Sequence, residues 1–385
     1  MPNITSLKPS VKAAPQGSFT LQGASPPRVL NERLFSQMLI LERKRTERSR
    51  RGFILLLIEM PSLLNAVDGK ELSKLLGVIL ESTRETDILG WFKNDCTLGA
   101  IFTEVNIPDR LAVAAILVDR FMEILGRTLR ADQLREIRFS THLFPEHSDE
   151  YGSGGPIDST LYPELREEAD SKRVYRGIKR SVDISGSLLG LIMLSPIWIA
   201  IAIAVKLTST GPVLFRQQRI GKRGRRFTFL KFRSMYSRSN HAIHEEYVKQ
   251  LIAGAAQAEQ ARGNGQPVYK LTNDPRVTPL GRFLRRSSLD ELPQLLNVLR
   301  GEMSLVGPRP PVPYEFACYD IWHKRRLLRT KPGITGLWQV GGRSRVKFDE
   351  MVRLDLKYAS SWSPWLDIHV LLKTPGAVLV GEGAY

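Results

Sequence analysis

Cysteine is nearly absent from the 385-residue chain: Cys96 and Cys318 stand alone, one in each half. Two isolated thiols exclude a disulfide framework and a cysteine-based metal site, and they fit a reducing compartment. Residues 1–27 have no apolar core, so they do not read as a secretory signal; Pro/Ser-rich and polar, residues 1–29 are expected to be a disordered leader. No GxxxxGK[ST] phosphate loop occurs, and Gly221-Lys222-Arg223-Gly224 is too short to be one. Acidic residues are scarce only in the second half. Residues 1–170 carry 21 Lys/Arg against 24 Asp/Glu, whereas residues 171–385 carry 35 against 15.

The formal charge of +17 therefore belongs entirely to the second half. That asymmetry points to two modules with different partners. A basic module of this strength suits a polyanion: nucleic acid, acidic lipid or a phosphorylated substrate. An apolar content of 42% is ordinary for folded domains.

The first half alternates between strand and helix patterns. Residues 30–50 read as a helix that is basic at its end. Residues 53–58 form a strand-like apolar run, and Leu72, Leu75, Leu76, Ile79 and Leu80 have helical spacing. Residues 87–92 and 97–102 flank Asn94-Asp95 as a hairpin, residues 109–127 form an apolar helix, and residues 136–144 a last strand. The order βαββαβ predicts a ferredoxin-like sheet. Together with the hairpin it resembles the fold of diguanylate cyclases. The glycine-rich signature of that family is replaced here by Lys93-Asn94-Asp95-Cys96-Thr97. Without those glycines the backbone cannot approach a nucleotide closely, so a regulatory or dimerising module is expected over residues 30–147. Residues 148–174 read as a linker.

Residues 184–205 contain no charge. Twenty-two helical residues can reach across a bilayer core of about 30 Å. Yet both flanks are rich in Lys and Arg, which a crossing helix cannot reconcile with positive-inside orientation. Ser195-Pro196 also breaks the middle of the run. The pattern predicts a re-entrant helix hairpin over residues 179–208, with both domains on the cytoplasmic face.

The densest polar pattern lies between residues 271 and 312. Leu292, Leu295, Leu296 and Leu299 mark one helix face, with Asp290 nearly opposite and pointing away from the core. Ser288-Leu289-Asp290-Glu291 also has the form of a capping box, a purely structural role for Glu291. Arg282, Arg285 and Arg286 precede this segment; Arg300 and Arg309 follow it. A helix start ringed by guanidinium groups suits phosphate, and a carboxylate there could attack phosphorus or hold a metal. Asn273-Asp274-Pro275-Arg276 is a second acidic cluster, equally readable as an Asx turn. His241, His244, Glu245 and Glu246 read as a solvated helix rather than metal ligands.

Residues 175–385 resemble the monotopic phosphoglycosyltransferases, the bacterial sugar transferase family. The resemblance rests on Lys179-Arg180-Ser181-Val182-Asp183, Ser195-Pro196, Gly211-Pro212-Val213, Gln218-Arg219-Ile220-Gly221 and Lys231-Phe232-Arg233-Ser234-Met235. It continues through Ser288-Leu289-Asp290-Glu291-Leu292-Pro293-Gln294, Ser304-Leu305-Val306-Gly307-Pro308-Arg309-Pro310 and Lys331-Pro332-Gly333-Ile334-Thr335-Gly336.

After the α/β ferredoxin-like domain read from the first half, the resemblance implies a mainly α, monotopic membrane catalytic domain. It implies transfer of a sugar-1-phosphate from a UDP-sugar to undecaprenyl phosphate at the inner-membrane cytoplasmic leaflet, to begin an exopolysaccharide or other surface glycan. Asp290 matches the nucleophile and a Mg²⁺ contact; Glu291 matches its partner. Arg309, Arg285 and Lys231, with Arg233 beside it, match phosphate or nucleotide positions. Trp338, Trp362 and Trp365 suit a headgroup layer or a packed interior. No nucleic-acid reader fold appears, and a homodimer is entertained. Two other readings stay open: a lipid-binding scaffold without catalysis, and a glycosyltransferase that releases UDP.

Overall fold

In a computed structural model of the chain the described residues are 29–60, 69–94, 96–106, 109–146, 157–165, 173–236, 242–253, 259–260, 267–268, 276–341 and 346–380. The expected leader apart from Val29, most of the linker, Asp95, His241 and Asn273-Asp274-Pro275 lie outside them. The chain divides into two compact units. The first gathers the chain up to Phe35 with Leu56–Phe102 and Leu111–Ser140. The second gathers Ser36–Leu55, Thr103–Arg110 and Thr141–Tyr385.

The N-terminal α/β region follows the order read from the sequence. Strand β1 (Val29–Leu30) and helix α1 (Glu32–Ser49) precede β2 (Gly52–Glu59), α2 (Gly69–Glu81), β3 (Ile88–Lys93), β4 (Thr97–Val105), α3 (Arg110–Thr128), a short α4 (Ala131–Leu134) and β5 (Arg138–Phe144). The sheet order is β1-β3-β4-β2-β5. Seven of the eight β2 residues are buried, which is why its sequence is a continuous apolar run rather than an alternating one. Strands β3 and β4 form the expected antiparallel pair, with Trp91 opposite Leu98.

The C-terminal region is mainly helical. Helices α5 (Arg173–Met193) and α6 (Ser195–Thr208) meet at a bend of 63°. Pro196 sits in the first turn of α6, where its missing N–H costs nothing. The Ser195 hydroxyl donates to the Ile192 carbonyl at 2.8 Å, satisfying an acceptor that the break would orphan. Among the described residues no single helix is long and apolar enough to cross a membrane, but this bent pair together has the length and composition.

One face of α5 is built for close packing. A Cβ on Gly186 would meet Leu305 at 2.7 Å. Asp183, nearly buried, accepts from the Ser304 hydroxyl at 2.8 Å and the Leu305 amide at 3.0 Å. The opposite face carries exposed Leu188, Leu189, Ile192 and Met193, the last 70% exposed. An apolar face that large marks a surface meant to be covered. Helix α6 is anchored through Ile201 and Val205, which pack with Phe232 and Leu284, and the Trp198 ring lies tilted against Phe232 with centroids 5.0 Å apart.

Behind the hairpin, β6 (Leu214–Ile220) and β7 (Arg226–Phe232) form an antiparallel ribbon. The remaining helices and ladders include α7 (Ala242–Ile252), the pair β8 (Glu259–Gln260) and β9 (Pro267–Val268), α8 (Pro279–Arg286) and α9 (Gln294–Arg300). Strands β10 (Ser304–Val306) and β11 (Gly333–Thr335) pair in parallel. The chain then reaches α10 (Phe348–Ser361) and α11 (Pro364–Val380).

A buried amide joins α9 to β7. Asn297 has zero exposure; its Oδ1 accepts from the Leu230 amide at 3.1 Å, and its Nδ2 donates to the Thr228 carbonyl and the Glu302 carboxylate, both at 2.7 Å. Replacing it strands two strand groups without partners, each worth roughly 1–3 kcal/mol. Asn297→Ala is expected to cost about 3 kcal/mol, read as a thermal midpoint lowered by several degrees in detergent. An unchanged midpoint would show that the amide holds nothing.

Candidate active site

Asp290 is placed by three backbone devices. Thr278 caps α8, its hydroxyl accepting from the Gly281 amide at 2.9 Å. Gly281 then lets α8 lie directly on the neighbouring segment, where an added Cβ would sit 2.0 Å from the Ser234 carbonyl oxygen. This brings Arg285 within 3.0 Å of the Ser234 hydroxyl, to which its Nε donates. After α8 the chain reverses through Ser288 in the left-handed region (φ 55°, ψ 17°) and enters a single 3₁₀ turn, Leu289–Glu291. Helix α9 starts only after Pro293.

Two sequence expectations are corrected here. Ser288 forms no side-chain cap. A cap needs extended φ/ψ, and the left-handed turn aims the hydroxyl elsewhere; Ser288 bonds through its backbone, its carbonyl accepting from the Glu291 amide at 3.2 Å and its amide donating to the Arg285 carbonyl at 3.1 Å. Asp290 also does not point away from the core. It is 6% exposed, because the 3₁₀ turn rotates it off the α-helical wheel. The buried face of α9 is accordingly Gln294, Leu295, Asn297 and Val298.

Asp290, Glu291, Arg285 and Arg219 all lie within electrostatic reach of Lys231. Burial pushes the Lys231 ammonium down to about 8; Asp290 and Glu291 pull it up, while Arg285 and Arg219 press it further down. The ammonium also lies 5.3 Å from the Phe215 ring centroid. A half-buried cation facing two carboxylates and two guanidiniums is poised to hold an anion and to reorganise little in doing so.

Arg219 links this group to Arg309. It is buried, donates to the Pro310 carbonyl at 2.8 Å and stacks over Phe229. Burial and the neighbouring Arg309 push its guanidinium down to about 10, while Glu315 opposes them. Burial would raise Glu315, yet Arg309, Arg326, the Tyr319 hydroxyl and Arg219 hold it below the usual carboxylate range. Arg326 in turn donates to Asp355 at 2.8 Å, both 1% exposed. Arg309 lies within electrostatic reach of Arg219, Glu315 and Asp355. Sequence reasoning missed Arg219 and Glu315 as site residues; the only signal was the Gln218-Arg219-Ile220-Gly221 motif.

Arg233, expected to bind substrate, commits one nitrogen to the end of α6, while its Nε and Nη1 are buried without a hydrogen-bond partner. Its Nη2 donates to the Ser209 carbonyl at 2.7 Å and the Ser209 hydroxyl at 2.8 Å, closing the end of α6. A cation at a helix C-terminus meets the exposed carbonyls and the negative end of the helix dipole. Ser195 and Pro196 lie at the bend. Trp362 donates to Asp367 at 3.1 Å, whereas Trp365 on α11 is 78% exposed.

The carboxylate pair offers a partial donor set for Mg²⁺. Among the described residues no group of three or more His, Cys, Asp and Glu could cage a metal. Asp290 and Glu291 supply hard oxygen donors from adjacent positions, and Mg²⁺ is commonly held by one or two carboxylates plus substrate phosphates and water. The donor set fits that ion.

Comparison with known proteins bears on the second half. The family described as bacterial sugar transferase matches residues 174–381. Undecaprenyl-phosphate galactose phosphotransferase of Salmonella typhimurium is 45% identical over 217 residues, covering 56% of this chain and 43% of the relative. UDP-glucose:undecaprenyl-phosphate glucose-1-phosphate transferase of Escherichia coli is 41% identical over 219 residues, covering 55% and 42%. The chain thus spans under half the length of these curated relatives. Exopolysaccharide production protein ExoY of Rhizobium meliloti is 40% identical over 225 residues, covering 57% of this chain and 94% of the relative. Among solved structures, a sensory box/GGDEF family protein from Caulobacter crescentus covers 30% of this chain and 80% of its own, at a TM-score of 0.25 and 19% identity.

Truncating one partner of a buried ion pair leaves the other charge uncompensated, at roughly 3–5 kcal/mol. Asp355→Ala is therefore expected to lower the thermal midpoint sharply. The double replacement Arg326→Met/Asp355→Leu should recover only part of the loss: Asp355 no longer strands Arg326, but Glu315 loses one of the four groups that hold it charged. Equal losses in the single and double variants would contradict this account.

Proposed function

Since the chain belongs to the bacterial sugar transferase family, we propose that it moves a sugar-1-phosphate from a UDP-sugar to undecaprenyl phosphate, releasing UMP. The observation that carries this reading is the buried Asp290 beside Glu291, facing Lys231 and two guanidiniums.

An Asp290 oxygen attacks the β-phosphorus of the donor. The bond from that phosphorus to the bridging oxygen breaks, and UMP leaves with the electron pair. A sugar phosphate remains on the Asp290 carboxylate. An oxygen of undecaprenyl phosphate then attacks the same phosphorus, expelling Asp290 and giving undecaprenyl-diphosphate sugar. Lys231, Arg285 and Arg309 hold the phosphates and stabilise the charge that spreads over their oxygens in each transition state. Glu291 positions or deprotonates the lipid phosphate. Asp290, with Glu291 beside it, would hold Mg²⁺, which would supply charge neutralisation for the diphosphate when bound. The network of Arg219, Glu315 and Arg326 positions Arg309.

The same reading covers the surroundings. The bent pair α5–α6 enters and leaves the inner membrane by its cytoplasmic face, and Trp365, Ile368 and Leu372, exposed along α11, lie in the headgroup layer. Residues 30–147 act as a regulatory or dimerising module. The product begins an exopolysaccharide or other surface glycan. Relatives of similar identity are named for galactose and for glucose, so identity alone selects neither sugar.

Nucleotide release tests the chemistry. Detergent-purified protein with Mg²⁺, undecaprenyl phosphate and a panel of UDP-sugars is expected to release UMP from one donor, and Asp290→Asn to release none. UDP as the product would establish an ordinary glycosyltransferase; no release from any donor would favour the scaffold. Lys231 gives a second check. It must be charged to hold phosphate, so kcat/KM, which reports the free enzyme, should fall as pH rises through about 8. The bound diphosphate restores the proton, so kcat should stay level. Lys231→Arg stays charged and should remove the fall. A flat kcat/KM in the unmodified enzyme would take Lys231 out of phosphate binding.

A further inference from the structure

A second basic site lies away from Asp290. A cavity of about 340 Å³ opens between the start of α5, the tip of the β6–β7 ribbon and the segment before β11. Seven of its lining residues are Lys or Arg and one, Asp183, is acidic. Three of the charged residues are already engaged. Lys179 pairs with Asp367 at 2.7 Å, Arg180 donates to the carbonyls of Val298 and Leu299, and Asp183 accepts from Ser304 and Leu305.

Lys222, Arg223 and Lys331 are different. Among the described residues none of the three has an ion-pair partner. They press on one another: burial, then Arg223, Arg176 and Lys331 push the Lys222 ammonium down to about 8. Lys331 is lowered by burial and then by Arg180, against the opposing pull of Asp183. Arg223 is held in the left-handed region (φ 57°), and its Nε is buried without a hydrogen-bond partner. Its carbonyl accepts from the Ile157 amide at 2.9 Å, which fixes this turn from outside. Gathering like charges around a cavity is unfavourable unless an anion enters it.

We propose that this cavity is a second phosphate-binding site, taking a phosphate group carried by an amphiphile or free in solution. Donors converge on it from three separate segments, which suits the several oxygens of one phosphate. Trp362, Leu165, Leu328 and Ala359 supply an apolar wall beside the cations. Val174, Tyr175 and Ile178, all exposed on α5, flank Arg176 at the rim. The site is not the donor site seen from another side. Lys222 follows Ile220 at the ribbon tip, whereas Lys231 is paired with Phe215 five residue pairs further along, a separation of about 17 Å. The proposal does not depend on the sugar-transfer reading, because it is tested by binding alone.

The test uses the full chain in detergent, with equilibrium dialysis of radiolabelled orthophosphate. Arg309→Ala weakens phosphate binding at the Asp290 site and serves as the background. In that background Lys222→Gln and Lys331→Gln, singly, are expected to weaken orthophosphate binding by about tenfold each, the loss of one charge-assisted contact. The two half-buried lysines are replaced one at a time, so a fold lost in one leaves the other to read. Their thermal midpoints should match the background. Unchanged affinity in both folded variants, or no orthophosphate bound by the background at millimolar concentrations, overturns the proposal. Competition identifies the source. If dihexanoyl phosphatidate displaces orthophosphate far better than glycerol phosphate does, the ligand is a lipid headgroup; equal competition assigns it to soluble phosphate.

Discussion

The side-chain amide of Asn297 is the constraint on which the site depends. It ties α9 to the backbone of β7 on both sides of one residue, at Thr228 and Leu230. Asp290 enters α9 through the 3₁₀ turn, and Lys231 follows Leu230. The amide therefore fixes the distance between a carboxylate and an ammonium that water no longer screens well. In a poorly screened site a shift of one ångström changes both charges' energies substantially. An apolar residue at position 297 could fill the space but could not set the register.

Around that bond the protein keeps two charged groups in separate roles. Asp290, Glu291, Lys231 and Arg285 face the space where chemistry is proposed. Glu315, Tyr319, Arg326 and Asp355 form a closed network with Arg309 at its edge. The first set gathers charges of both signs around that space; the second is tied together by its own hydrogen bonds and ion pairs and serves as a mount. Arg219 belongs to both, which makes it the route by which a change in the mount would reach the site.

Much of the architecture was legible in the sequence. The α/β order of the first half came from apolar runs and hairpin spacing, and β2 to β5 follow it. The Ser195-Pro196 break was legible because proline is the one residue whose helix defect is covalent. The clustering of Asp290 with Arg285 and Lys231 was legible from motifs. What escaped was what periodicity cannot encode. Apolar spacing assumed one continuous helix from Ser288, whereas the left-handed serine and Pro293 divide it. Arg233 read as a phosphate ligand because it shares a motif with Lys231; its cap on α6 is a long-range contact with no local mark. Asn297 carried no signal at all, since a buried amide looks like a surface amide in a string of letters.

Several of the contacts that hold the site run from a side chain to a backbone group. Asn297 reaches Thr228 and Leu230, Arg180 reaches Val298 and Leu299, and Arg219 reaches Pro310. Every residue type presents a carbonyl, and all but proline present an amide. The five contacted positions can therefore change identity, within the limits of volume, without dissolving the bonds made to them. The tolerance is one-sided. The burden of specificity falls on the three reaching side chains, and the letters around them are free to drift.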